Sequence, residues 1–224
     1  MGGEQAQPGA ARAFATRCPS CGASLRFESA ASIRAVCAYC RSQIVRRDID
    51  VEAIGKVADL VRDASPIQIG VRGKHRGNEF LVVGRIQLAY EAGLWNEWAI
   101  VLDDGSWRWL GDAAGEYTIT ERVPGARVPA YEALEVGAEV KVGDEEYLVA
   151  DRREARCISG EGELPANLRP GYAFRYADLR RHDDAFATID YSEDPPLAFA
   201  GQAVELYLLS PQGLRTFHGW RPYE

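Results

Sequence analysis

The residues of this sequence best suited to chemistry are its five cysteines, four of which lie near the start of the chain. Cys18-Pro-Ser-Cys21 and Cys37-Ala-Tyr-Cys40 are two C-x-x-C pairs separated by fifteen residues. Each pair can close a tight turn that directs two thiolates to one point, and two such turns complete a tetrahedral four-sulfur site. The spacing therefore predicts one structural zinc ion bound by Cys18, Cys21, Cys37 and Cys40.

Four thiols have two other uses besides binding zinc. A pair of redox dithiols is disfavoured because no thioredoxin-like βαβ pattern surrounds either turn. An iron–sulfur cluster is chemically possible with four thiolates. If the protein fills all four positions around a metal, no position is left for water, so the metal should not be catalytic. We expect so small a module to unfold without its metal while the rest of the chain persists.

Short strands must position these cysteines. Leu25-Arg26-Phe27 and Ile33-Arg34-Ala35-Val36 fit the two strands of a zinc ribbon. Gly22 follows the first pair, where a positive φ is often needed. Arg41 occupies the equivalent place after the second pair, so that turn must close either with strain or in a different way.

Around this ribbon the sequence predicts four regions. Residues 1–16 are rich in Gly, Ala and Gln and are expected to form a disordered tail. The ribbon covers 17–46, a linker covers 47–66, and a β domain covers 67–224. Apolar residues of the linker region fall at helical spacing, so a short helix and an extended linker both remain open: Val51, Ile54, Val57, Ala58, Val61.

The β domain repeats its own pattern at an offset of 67 residues. Ile67 aligns with Leu134, and Gly70 aligns with Gly137. With three inserted residues, 117–119 then aligns with 187–189. We expect a mainly β fold in which the small N-terminal zinc ribbon precedes a duplicated, pseudo-two-fold β-sandwich or barrel-like domain. Its halves are about 67–122 and 134–209.

Turn residues place several hairpins in this domain. Asp103-Asp104-Gly105 separates two β-rich runs and predicts a hairpin. Ser210-Pro211-Gln212-Gly213 is expected to turn the last one. Helical spacing is rare, and Ala177-Asp178-Leu179-Arg180-Arg181 is the best remaining candidate for a short helix.

Tryptophans are concentrated in one part of the chain. Trp95, Trp98, Trp107 and Trp109 lie within fifteen residues. They could form a core layer between the two halves, or they could anchor a partner protein, as Trp often does at interfaces. Glu97 is costly to bury unpaired, so we expect one of Trp95 and Trp98 to point inward and the other to be substantially exposed. The candidate partner-binding residues are therefore Trp95, Glu97, Trp98, Trp107 and Trp109.

Charge and composition narrow the function classes. The chain has a net charge of −7, which is unevenly distributed. Residues 1–50 carry seven Arg and four acidic residues, for a net charge of +3. The remainder carries nineteen basic and twenty-nine acidic residues, for a net charge of −10. A nucleic-acid-binding protein usually concentrates positive charge on its main domain. The seven arginines of the ribbon region could still form a basic face, or they could simply be a solvated surface. No apolar run approaches the ~20 residues of a membrane span, and no secretory signal is present, so a cytoplasmic protein is expected.

Catalytic motifs are not found in the sequence. The three histidines are His75, His182 and His218, and none belongs to a nucleophile–base motif. The fifth cysteine, Cys157, follows a single Arg in a strand-like run and is expected to be an inert thiol.

A resemblance rests on several stretches taken together. Ser65-Pro66-Ile67-Gln68-Ile69-Gly70, Val83-Gly84-Arg85-Ile86-Gln87 and Trp95-Asn96-Glu97-Trp98 are similar to the bacterial family called domain of unknown function 4178. Trp109-Leu110 followed by Gly115, and Asp190-Tyr191 with Pro195 and Gly201, add to the likeness, which covers about 60–205. Two departures are Arg41 in place of the usual Gly and Arg108-Trp109-Leu110-Gly111 in place of Gly-Trp-Leu-Ser.

The resemblance implies a cytoplasmic accessory protein that often carries an N-terminal zinc ribbon. Genes of the family tend to lie near those of phage-shock-type membrane-stress proteins and of polyamine synthesis. The resulting hypothesis is a non-catalytic adaptor that binds another protein, in a complex that could be peripheral to the membrane. A nucleic-acid-binding module led by the basic ribbon is the alternative, and an enzyme of unrecognised chemistry is a weaker one.

Overall fold

The computed structural model describes residues 14–29, 32–47 and 50–217. These residues contain fifteen strands and two 3₁₀ turns, Tyr131–Ala133 and Leu206–Leu209. The strands are β1 Phe14–Arg17, β2 Ser24–Phe27, β3 Arg34–Val36, β4 Ser42–Arg47, β5 Asp50–Lys56, β6 Arg72–His75, β7 Asn78–Tyr90, β8 Gly93–Leu102, β9 Trp107–Ala113, β10 Glu116–Arg122, β11 Glu139–Val142, β12 Glu145–Leu164, β13 Ala173–Arg180, β14 Ala185–Asp190 and β15 Leu197–Val204. The fold is mainly β, as expected.

Eight strands are hydrogen-bonded to one another in a closed circle, which we call the ring. Their order is β7–β8–β9–β10–β15–β14–β13–β12, and β12 pairs with β7 to complete it. All of these pairs are antiparallel. Closure depends on glycines, because a Cβ on Gly84 would lie 1.8 Å from the carbonyl oxygen of Glu163. Two strand backbones therefore approach more closely here than any other side chain would allow.

β12 joins the ring to the N-terminal region because it is twenty residues long. Its first half pairs with β11 and β13, whereas its second half pairs with β7 and with β3. β3 is followed in the sheet by β4 and β5, and only β1 and β2 form a separate two-stranded sheet. Of the ribbon strands, β3 and β4 are thus an extension of the main sheet, whereas β2 lies in the separate sheet.

The two segments aligned at an offset of 67 residues have the same backbone pattern. Strand, turn and strand occur at the same positions in β6–β7 and β11–β12. The Gly70 N–H donates to Val82 O at 2.8 Å, and the Gly137 N–H donates to Val149 O at 2.8 Å. Both glycines have a positive φ, 93° and 88°. Beyond these segments, β6 to β10 follow one another in the same order as β11 to β15, so β10 corresponds to β15. The sequence alignment of 117–119, in β10, with 187–189 was therefore wrong, because 187–189 lies in β14.

Two apolar cores correspond to these two sets of strands. In the first, Ile67 and Phe80 pack with Trp98, Ile100 and other residues of β7–β10. The second core contains ten buried residues: Leu134, Val140, Val142, Tyr147, Val149, Ala177, Leu179, Ala187, Ile189, Ala198. Buried residues alternate with less buried ones along β11 and the second half of β13, as expected for strands covered on one face.

Several local predictions need correction. The helix considered in the 47–66 linker does not form, since 50–56 is β5, bonded to β4. The helix considered at 177–181 is also wrong, because Ala177 and Leu179 are buried in β13 while their neighbours point to the opposite face. The predicted tail falls outside the described residues up to 13, and Phe14–Arg17 is a strand. Residues 210–213 do not turn a last hairpin, and Gln212 instead forms an isolated antiparallel bridge with Arg72 of β6.

Among the residues that the structure describes, we find no helix with the length and apolar character needed to cross a membrane.

Candidate functional site

The four N-terminal cysteines come together at the ends of short strands. Cys18 follows β1 and Cys21 precedes β2, while Cys37 follows β3 and Cys40 precedes β4. Each pair is closed by backbone hydrogen bonds: the Gly22 N–H donates to Cys18 O at 2.8 Å in the first turn. In the second turn the Arg41 N–H donates to Cys37 O at 2.9 Å. The two turns therefore have the same construction, and each directs two thiols toward the other pair.

The separations between sulfur atoms suit a single ion. Cys18 Sγ and Cys40 Sγ are 3.7 Å apart, and Cys21 Sγ and Cys37 Sγ are 3.8 Å apart. All four sulfur atoms lie within 4.8 Å of one another. A tetrahedral ion with metal–sulfur bonds of ~2.3 Å requires sulfur separations of about 3.8 Å. The four cysteines could hold such a metal ion, and they would fill every position around it.

Arg41 shows how the second turn closes without a glycine. Its φ is 59°, close to the 75° of Gly22, so it adopts the left-handed conformation despite a cost of roughly 1 kcal/mol or more for a residue with a Cβ. Its side chain compensates by reaching the ring. Arg41 Nη2 donates to Ala58 O at 3.0 Å, Ser159 Oγ at 3.2 Å and Gly160 O at 3.0 Å. The turn that carries Cys37 and Cys40 is therefore tied to β12.

Glu163 fixes the first part of the ribbon to the same strand. Its carboxylate accepts hydrogen bonds from the backbone N–H groups of Glu28 and Ser29 and from the hydroxyl of Ser32. Glu163 is buried, and this burial raises the pKa of its carboxyl group against the lowering effect of the three donors. A buried carboxylate that receives three hydrogen bonds is a specific contact between ribbon and ring.

Of Trp95 and Trp98, one points inward as expected, but the other is less exposed than expected. Trp98 is 1% exposed and packs in the first core, with the Arg85 guanidinium 4.7 Å from its ring centre, so it cannot contribute to a partner-binding surface. Trp95 is half-buried, where we expected substantial exposure. Its ring lies 5.7 Å from that of Tyr90 and 5.4 Å from that of Tyr176. Trp107 is also half-buried, and its role and that of Trp95 in partner binding remain predictions.

Trp109 packs against an apolar cluster at the end of the ring. The side chain is half-buried there, together with Ile86 and Phe174. A role at a partner surface stays a prediction for this residue also.

Glu97 lies on the opposite face of β8 from Trp98. Its carboxylate accepts a hydrogen bond from Trp95 Nε1 at 3.0 Å. Burial raises the pKa of Glu97 to about 7, the Trp95 hydrogen bond opposes this, and the nearby carboxylates of Asp178, Asp112 and Asp190 add to the increase. By solvent accessibility the residue is half-buried, and its place on a partner-binding surface remains a prediction.

A buried polar network was not foreseen from the sequence. Asp63 accepts hydrogen bonds from Arg85 Nη1 at 2.8 Å, Gln87 Nε2 at 3.1 Å, Asn96 Nδ2 at 3.1 Å and Arg215 Nη2 at 2.7 Å. Three of the donors lie in the stretches that carry the family resemblance. The sequence did contain a sign of this network, because Arg85, Gln87 and Asn96 are polar residues within two paired apolar strands. Nothing in the local sequence indicated that Asp63 faces them. The network fixes the predicted linker to β7 and β8.

The other titratable candidates show no catalytic arrangement in the described residues. His75 lies 3.2 Å from the amide nitrogen of Gln202, and burial lowers its pKa. His182 is exposed, and His218 lies outside the described residues. Burial raises the pKa of Cys157 to about 11, which disfavours its thiolate and agrees with the expectation of an inert thiol.

Comparison with known proteins gives one match. The family described as Domain of unknown function (DUF4178) matches residues 68–206. The ribbon lies outside the matched range. No curated protein and no solved structure matches the chain.

Proposed function

The chain belongs to the family Domain of unknown function (DUF4178), and from that premise we propose that it is a non-catalytic adaptor with one structural zinc ion. The observation that carries the proposal is the closed four-cysteine site, whose sulfur separations of 3.7 and 3.8 Å fit a single tetrahedral ion. A four-iron cluster binds each thiolate through a different iron atom and would hold the sulfur atoms farther apart. Because no open position remains, the metal would act through structure and not through a reaction.

Elemental analysis tests the metal. Protein purified without chelator should contain one zinc per chain, and Cys21→Ser or Cys40→Ser should lose it because three thiolates bind zinc far less tightly than four. Cys157→Ser is the matched control and should keep its zinc. Iron in place of zinc, or no metal, would contradict this part of the proposal.

The partner we propose is another protein, and an open concavity beside the β7–β8 hairpin supports a place for it. The concavity is lined by Ala89, Tyr90, Glu91 and residues 152–156. The Arg153 guanidinium lies 5.2 Å from the Tyr90 ring centre, and Trp95 packs behind Tyr90. Trp, Tyr and Arg are the residues that most often anchor protein interfaces. The family resemblance suggests that such a partner belongs to an envelope-stress or polyamine-related system, in the cytoplasm or at the inner membrane surface.

A quantitative pull-down from lysate of the native host tests this surface. Tyr90→Ala combined with Arg156→Glu should reduce the recovery of a specific partner by about tenfold, which corresponds to about 1.4 kcal/mol of binding free energy. Tyr207→Ala is the control, because Tyr207 is exposed and belongs to the 3₁₀ turn at 206–209. Equal recovery with both variants would place the partner surface elsewhere.

One observation favours a second candidate, nucleic-acid binding. The described residues of 14–47 carry six arginines and a single acidic residue, Glu28. Five of these arginines already have partners in the protein. Arg41 binds β12, Arg46 lies over the Phe14 ring at 4.4 Å, and Arg17 donates to Gly22 O. Arg26 and Arg47 form exposed ion pairs with Glu28 and Glu52. Retention on heparin that falls steeply with salt, and that is lost in Arg17→Glu/Arg34→Glu, would support this candidate over the first.

A further inference from the structure

The ribbon and the ring meet at one continuous contact, which we call the ribbon–ring interface. Val36, Ala35 and Arg34 of β3 pair with residues 162–164 of β12. Next to this pairing, Glu163 receives its hydrogen bonds from the ribbon backbone. The interface is therefore made of main-chain bonds and a buried carboxylate, and it involves residues that lie directly beside the cysteines.

The second cysteine pair is connected to this interface at both of its ends. Val36 precedes Cys37, and Arg41 follows Cys40. Arg41 contacts Ala58 O, Ser159 Oγ and Gly160 O through Nη2. Its own carbonyl accepts the Val57 N–H at 2.9 Å. The left-handed conformation of Arg41 directs the side chain to β12, and the closed turn maintains that conformation.

An apolar cluster lies beneath the interface, and the ribbon side and the ring side both contribute to it. Val36 and Val57 come from the ribbon side. Leu88, Cys157 and Leu164 come from the ring, and Leu168 from the loop that follows β12. All six are at most 7% exposed. If the ribbon separated from β12, its two valines would leave the cluster and water would reach the ring residues that remain.

We infer that metal binding by the four cysteines controls this interface: the metal keeps the ribbon paired with β12, and its loss opens the apolar cluster. Arg41 is the coupling residue. Without a metal, only hydrogen bonds hold Arg41, a non-glycine residue, in the left-handed conformation. When the turn relaxes, the three acceptors of its side chain lose Arg41 as a donor. This inference rests on the proposed metal site but not on the proposed partner.

Amide hydrogen exchange of the full chain, read by mass spectrometry, tests the inference. The zinc-loaded protein is compared with protein treated with a chelator, and elemental analysis reports the metal content of both. Removing zinc should accelerate exchange at 157–164 by about tenfold or more, and it should increase alkylation of Cys157 by iodoacetamide, because both become accessible when the interface opens. Residues 185–204 of β14 and β15 are the internal reference and should change by less than about twofold.

Substitutions test the coupling with the metal still bound. Arg41→Gly should keep zinc, since glycine adopts the left-handed conformation easily, yet exchange at 157–164 should already be fast. Arg47→Gly is the matched control, because Arg47 is an exposed arginine at the end of β4, and it should behave like the wild type.

Two results would overturn the inference. One is unchanged exchange at 157–164 after verified removal of zinc, and the other is Arg41→Gly with slow exchange like the wild type. A protein that contains no metal as purified would instead contradict the proposed metal site, so the two failures can be told apart.

Discussion

At the scale of single residues, the carboxyl group of Glu97 is strongly altered by its surroundings. Its pKa is raised from 4.5 to about 7, chiefly by burial. The folded state therefore holds a proton that the unfolded chain releases near pH 4.5, and stability should fall as pH rises from about 4.5 to about 7. Glu97→Gln removes this dependence and should be more stable than the wild type at pH 8 by about 2–3 kcal/mol.

Urea unfolding at pH 5 and pH 8 measures this difference. Asp178, whose pKa burial raises to about 6, adds a slope of the same sign to both proteins, so the comparison between variants isolates Glu97. Glu135→Gln is the control, since Glu135 is exposed. A Glu97→Gln variant with the pH dependence of the wild type would show that Glu97 does not hold its proton.

The tryptophans give a second prediction at this scale. Trp98→Ala should cost about 3–5 kcal/mol of unfolding free energy, because it removes the largest fully buried side chain of the first core. Trp95→Phe should cost much less, since the ring is half-buried and its contacts with Tyr90 and Tyr176 are retained. It also removes the N–H that donates to Glu97 and should therefore raise the pKa of Glu97 further. Denaturation and an NMR titration of the Glu97 side chain measure the two effects.

Some of the site could be predicted from single residues and some could not. Two C-x-x-C pairs were enough to predict that four thiols come together where they could hold a metal, because each pair closes within a few residues. The exposure of Trp95 and Glu97 depends on the strands that pack beside β8, and no local pattern specifies those. Asp63 was missed for the same reason, since its four donors come from β7, β8 and the C-terminal segment.

At the scale of elements, the ring closes where β7 and β12 approach each other. Gly84→Ala should lower the unfolding free energy by about 3 kcal/mol or more, at the upper end of the usual cost of overpacking. The reason is that the new Cβ would collide with the backbone of Glu163, which cannot move independently. Gly93→Ala is the matched control, since its Cβ would meet only the Tyr90 ring at 3.9 Å. Thermal unfolding measures both variants, and a similar midpoint for the two would show that the ring does not depend on this close approach.

Hairpins were predictable at this scale, whereas the ring was not. Asp103-Asp104-Gly105 specifies a tight turn, and Gly105 takes the positive φ of 81° that it requires. The segment at 177–181 was wrongly predicted to be helical. A short run with Ala and Leu two residues apart, followed by two arginines, fits the period of a helix as well as that of a strand. The pairing of β7 with β12 joins residues more than sixty positions apart, such as Leu88 with Cys157, and turn chemistry carries no information about it.

At the scale of the whole molecule, β3 and β4 of the ribbon continue the main sheet, which bears on how the protein should unfold. We expected the ribbon to unfold without its metal while the rest of the chain persists. Because β3 pairs with β12 and Arg41 reaches Ser159 and Gly160, the zinc-loaded protein should unfold in a single cooperative transition.

Two probes follow that transition in urea. Tryptophan fluorescence reports the ring, which contains Trp95, Trp98, Trp107 and Trp109. A chromogenic chelator reports zinc release from the ribbon. The two midpoints should coincide, and release of zinc well before the change in fluorescence would mean that the ribbon unfolds as a separate unit.

The pairing of β3 with 162–164 also dictates an order of events during synthesis. The four cysteines are complete once residue 40 has been made, so the metal can bind while most of the chain does not yet exist. The strand that β3 requires ends at residue 164, and at about 5–20 residues per second the ribosome needs roughly 6–25 s to reach it. During that interval a nascent ribbon with its metal bound would expose Val36 without its partner strand. Early loading of the metal would keep this edge ordered until β12 emerges.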